Sequence, residues 1–64
     1  MNQVLPILLT RNGEPLYLNG AEVLWAKRED DRTLLWMRGS VNALTVDQFP
    51  AVIQTMIQDV MKGN

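Results

Sequence analysis

Phe49-Pro50-Ala51-Val52-Ile53-Gln54-Thr55-Met56-Ile57-Gln58-Asp59-Val60-Met61 decides the fold of this chain. Its apolar residues, Phe49, Val52, Ile53, Met56, Ile57, Val60 and Met61, recur at the i, i+3, i+4, i+7 spacing of one helix face. That spacing predicts an amphipathic helix over residues 48–62. Asp47 reads as its N-cap: in that register Pro50 falls at N3, where no N–H is needed, and the carboxylate meets the positive end of the helix dipole. A Thr45/Gln48 capping box is the competing reading, but it puts Pro50 where an intrahelical bond would be lost. Lys62 lies in the last turn, and Gly63 is expected in the left-handed C′ conformation.

A helix with one apolar stripe must cover something, and the residues before it read as short strands. Val4 to Thr10 is an apolar run of strand length, with Pro6 arguing for an edge or an irregular start. Asn12-Gly13 is a hairpin signal, since a type I′ turn needs positive φ at both central residues. Residues 16–18 form a second strand, closed by a further Asn19-Gly20 turn. The third strand, 22–29, alternates Val23, Trp25 and Lys27 against Leu24, Ala26 and Arg28. The all-polar Glu29-Asp30-Asp31-Arg32 separates it from a fourth strand at 33–38, which is followed by a Gly39-Ser40 turn and a fifth strand at 41–46. The predicted class is α+β: one domain, residues 1–64, a small antiparallel β-meander of four to five short strands followed by one C-terminal amphipathic helix.

A chain of 64 residues buries only roughly 60% of the surface its unfolded form exposes, so the domain is marginal alone. With no cysteine and no histidine, neither a disulfide nor a thiolate or imidazole zinc site can staple it. A tightly packed core or association with another copy remains. The composition, 47% hydrophobic and 20% charged, is that of a folded domain. No segment approaches the ~20 apolar residues of a membrane span. Residues 1–9 lack the basic start and small-residue cleavage site of a signal peptide, which leads to an expected cytoplasmic location.

The central strands are apolar on both faces. Leu24, Trp25, Leu34, Leu35, Trp36 and Met37 cannot all point at one helix, so some of this surface needs a second cover. Leu24, Trp25, Leu34, Trp36, Met37, Met56 and Met61 are the candidate interface, and a homo-oligomer joined through its β surface is the expected partner arrangement. The alternative is a strongly twisted or half-closed sheet that buries both faces within one chain.

Catalytic chemistry has few carriers here. The commonest general base and the thiol nucleophile are missing. Glu29, Asp30 and Asp31 lack the spacing of a cation loop, and the glycines fit no phosphate-binding pattern. No catalytic residue, metal ligand or cofactor is expected. Six basic residues against seven acidic give a net charge of −1, without the basic excess of a nucleic-acid binder. In the alternative reading, Lys27, Arg28 and Arg38 contact a nucleic acid beside a stacking platform of Trp25 and Trp36.

Leu9-Thr10-Arg11-Asn12-Gly13, then Tyr17-Leu18-Asn19, a charged turn at Glu29-Asp30-Asp31, a strand ending at Arg38-Gly39 and a closing Val52-Ile53 helix resemble the small flagellar proteins of the FlbD/SwrD (swarming motility) type. The pattern covers nearly the whole chain. The resemblance implies a non-enzymatic accessory protein of bacterial flagellar assembly or motor output, with no residue roles to carry over. Leu8-Leu9-Thr10-Arg11, Gly13-Glu14, Leu16, Glu22-Val23 and Val41-Asn42-Ala43 look like fragments of the carbon-storage-regulator family of homodimeric messenger-RNA binders. Where that family places an arginine and glutamates before its C-terminal helix, this chain has Val46-Asp47-Gln48. The expected function is therefore a small self-associating interaction or assembly protein, of flagellar or phage-accessory type. A small homodimeric nucleic-acid-binding regulator is the alternative.

Overall fold

The computed structural model describes residues 4–63, so the first three residues of the N-terminal segment read above lie outside it. Five strands, β1 (Pro6–Arg11), β2 (Glu14–Asn19), β3 (Val23–Glu29), β4 (Arg32–Met37) and β5 (Leu44–Val46), precede one helix, α1 (Pro50–Lys62). The strands form a β1-β2 hairpin and an antiparallel β3-β4-β5 sheet. A backbone bond from Asp47 N–H to Thr10 O, 2.9 Å, ties the end of β5 to β1 and half-closes the two sheets around one core. The α+β class is as predicted.

The core sits between the sheets and beneath α1. Leu5, Ile7, Leu9, Leu35, Val46 and Ile53 are its buried hydrophobic residues. From α1, Ile53 is fully buried while Met56, Ile57 and Val60 pack against the cluster. Phe49, Val52 and Met61 are exposed, so the covering stripe is narrower than the seven-residue pattern implied.

Asn12 (φ 53°) and Gly13 (φ 83°) both take positive φ, as the type I′ reading required. Asp30, with φ 56°, supplies the left-handed residue of the β3-β4 hairpin. Asn19-Gly20 does something different from a hairpin turn. The Asn19 side chain accepts from Ala21 N–H at 3.0 Å and caps a single 3-10 turn, Gly20–Glu22, that carries the chain between sheets. A Cβ on Gly20 would stand 2.9 Å from Ile57 Cγ1 and 3.1 Å from Leu5 O, so this glycine is set by close approach to α1.

Four further expectations are corrected. The fifth strand is three residues, Leu44–Val46, and Val41 is 93% exposed. α1 begins at Pro50 with Phe49 as N-cap, because proline's fixed φ suits the first helical position best. Gly63 stays right-handed (φ −74°), its N–H shared between Asp59 O and Val60 O. A bulge in β3 between Val23 and Trp25 breaks the simple alternation: Val23 pairs with Met37 on the core side, whereas Trp25 pairs with Trp36 on the outer side.

Candidate functional site

Two regions carry unusual chemistry: a polar cluster where β5 leaves the sheet, reached by Thr33 of β4 and the C-terminal half of β3, and an apolar surface along the N-terminal half of β3. At the β5 edge, Asp47 leaves the strand and turns its carboxylate onto the β1-β2 turn. It accepts from Thr10 Oγ1 (2.8 Å), Asn12 N–H (3.0 Å) and Gly13 N–H (2.9 Å). Gln48 answers from the same segment: Thr10 N–H donates to its Oε1 at 3.0 Å, and its Nε2 donates to Thr10 Oγ1 at 2.9 Å. From β4, the fully buried Thr33 hydroxyl donates to Gln48 O. Arg28 completes the cluster, donating to Thr33 Oγ1 (3.2 Å) and Asp47 O (3.1 Å) while lying 3.9 Å over the Phe49 ring.

The Gly13 N–H above all, with the Thr10 hydroxyl and the Asn12 N–H, holds the Asp47 carboxyl below its ordinary value. Partial desolvation opposes this, and the Arg28 charge adds a little to the lowering. Asp47 is thus not the helix cap. It fixes the first hairpin, and the polar groups around it bind one another, which makes the cluster a structural lock.

At the other edge the outer face of the sheet carries Trp25, stacked on Trp36 with ring centroids 3.8 Å apart and planes 10° from parallel. Their backbones are cross-strand partners, and such a pair contributes about 0.5–1.5 kcal/mol beyond area burial. Even so, Trp25 remains 50% exposed and the neighbouring Leu24 52%. Lys27 faces Leu34 two register pairs along, and Lys27 Nζ lies 3.9 Å from Glu29 Oε2. Between β3 and α1 runs an open groove of about 330 Å³, walled by Leu24, Trp25 and Ala26 on one side and Pro50, Gln54 and Ile57 on the other.

The seven candidate interface residues therefore divide. Leu24, Trp25, Leu34 and Trp36 gather around β3 and β4. Met37 and Met56 pack on the core, and Met61 lies exposed at the far end of α1. The three candidate nucleic-acid contacts divide as well. Lys27 lies beside the tryptophans, Arg28 is held by the Asp47 cluster, and Arg38 Nε pairs with Glu22 Oε2 at 3.1 Å.

Sequence reasoning missed two things. No local pattern marks the Asp47 cluster: Asp47 and Gln48 bind the first hairpin across 34 to 38 residues, and Arg28 and Thr33 bind them across 19 and 15. Nothing in the alternation marks the bulge either. Among the described residues, no group of three or more acidic, cysteine or histidine side chains is placed to hold a metal ion. Among them, too, no helix is long and apolar enough to cross a membrane. No protein-family model, curated protein or solved structure matches the chain.

Proposed function

We propose that this chain is a non-enzymatic interaction protein that self-associates through the outer surface of β3 and β4. The observation that carries the reading is the tryptophan pair. Trp25 stacks on Trp36 on the face turned away from the core, yet half of its surface is still in water. Large aromatic side chains left exposed beside other apolar residues are the usual anchors of protein interfaces. The size of the chain points the same way, since a 64-residue domain without disulfide or zinc gains most from burying such a surface.

The resemblance to FlbD/SwrD-type proteins extends the proposal to a bacterial motility or phage accessory protein acting in the cytoplasm. Genomic neighbourhood checks that part: flagellar or phage genes alongside support it, and a cluster of metabolic genes overturns it. Light scattering on the purified protein checks self-association. A mass about twice the 7.3 kDa of one chain at high concentration is expected, and 7.3 kDa at every concentration overturns the reading. No gel shift with a mixed RNA and DNA pool at low salt is expected. A salt-sensitive shift weakened by Lys27→Ala would favour the nucleic-acid regulator instead.

A further inference from the structure

We infer that the partner is a second copy of this chain, docked edge to edge through β3, with a two-fold axis at Trp25 and Leu24 of each copy seated in the other's groove between β3 and α1. The inference rests on the self-association proposed above and specifies its geometry. β3 is the terminal strand of its sheet, and among the described residues no strand pairs with its outer edge. An unpaired edge presents backbone donors and acceptors to any added strand.

The edge is not uniform. Lys27, Arg28 and Glu29 put charge on its C-terminal half, the usual protection against pairing, whereas Val23 to Ala26 carry none. The uncharged half is also the half that borders the groove. The bulge leaves Leu24 without a partner on β4 and half exposed at the groove wall. A protruding leucine beside an apolar groove supplies both halves of a self-complementary contact, which is what a two-fold interface requires.

The pattern along β3 narrows the register. Antiparallel pairing about an axis at Lys27 would oppose two lysines, and an axis at Arg28 would oppose two arginines. An axis at Ala26 would set Arg28 of one copy against Leu24 of the other, at the mouth of an apolar groove. An axis at Trp25 opposes Trp25 to Trp25, prolonging the Trp25-Trp36 stack into a row of four rings. It also opposes Leu24 to Ala26, large against small, with no like charges facing each other. The bulge keeps the paired ladder short, so the leucine and tryptophan contacts carry most of the affinity.

The absence of native cysteine makes the register directly readable. Directly opposed residues of an antiparallel pair lie about 4.5–5.5 Å apart at Cα, within disulfide range. An equimolar mixture of Leu24→Cys and Ala26→Cys proteins, one carrying a size tag, is expected to give the mixed cross-linked dimer under mild oxidation, while each variant alone gives little. Ala26→Cys cross-linking with itself as readily as in the mixture overturns the register. A dimer by light scattering with no cross-link in any combination overturns the edge and leaves self-association standing. A monomer at every concentration overturns both. In the chain with native Ala26, the exposed Leu24→Asp substitution is expected to weaken dimerisation at least tenfold with an unchanged circular dichroism spectrum; unchanged dimerisation overturns the proposal.

Discussion

The two edges of the three-stranded sheet behave in opposite ways. At the β5 edge the sheet meets β1, and Asp47 and Gln48, joined by Thr33 from β4 and by Arg28 from the far end of β3, bind one another and the turn at Asn12-Gly13. At the β3 edge the strand ends in solvent beside Leu24, Trp25 and an unfilled apolar groove. Burying polar groups is favourable only when each finds a partner, so the β5 edge is closed by direction and distance. Apolar surface needs only area, so the β3 edge is left complementary to whatever brings more of it. The same small fold therefore assigns holding the domain together to one side and meeting a partner to the other.

The contrast breaks most sharply at the closed edge. Thr33→Val removes the buried hydroxyl that donates to Gln48 O and accepts from Arg28, and is expected to lower unfolding stability by about 1–3 kcal/mol in urea titration. Gly20→Ala presses a methyl group against Ile57 and Leu5 O, and about 1–2 kcal/mol of destabilisation is expected in the same titration. For Thr33→Val, whose side chain does not line the groove, cross-linking efficiency per folded molecule should be unaffected, whereas Gly20→Ala bears on Ile57 of the groove wall and is read from stability alone.

Acid sharpens the comparison further. The Asp47 carboxyl is held below its ordinary value of 3.8, chiefly by the Gly13 N–H, so its contribution to stability is complete above that value. It is lost as pH falls through the lowered folded-state value. Asp47→Asn should flatten this part of the stability curve between neutral and acid pH, and an unchanged acid limb would remove Asp47 from the lock. The smallest effect on folding is expected at the open edge. Trp25→Ala, at a half-exposed site, should cost no more than about 1–1.5 kcal/mol, chiefly the lost stack, while reducing self-association at least tenfold by light scattering.

Legibility in the sequence followed the range of the interactions. The i, i+3, i+4 stripe at Ile53, Met56, Ile57 and Val60 and the Asn12-Gly13 turn are local patterns, and they lie where the sequence put them. Asp47 misled because its local surroundings suit a helix cap, whereas three donors on a hairpin more than thirty residues earlier bind it instead. Asn19-Gly20 has the composition of a hairpin turn, but tertiary approach of Ile57 gives it another role. The gathering of Leu24, Trp25, Leu34 and Trp36 was readable as excess apolar surface. The groove beside them depends on a bulge and on the placement of α1, which no alternation pattern encodes.

Hydrogen exchange of the unmodified protein at two concentrations tests the division between edges most directly. Raising the concentration should slow exchange of backbone amides at Leu24 to Ala26 and leave those of β1, β2 and β5 unchanged. Protection that instead rises at Leu8 and Tyr17 on the first hairpin, or nowhere, would contradict the assignment of the β3 side as the meeting surface.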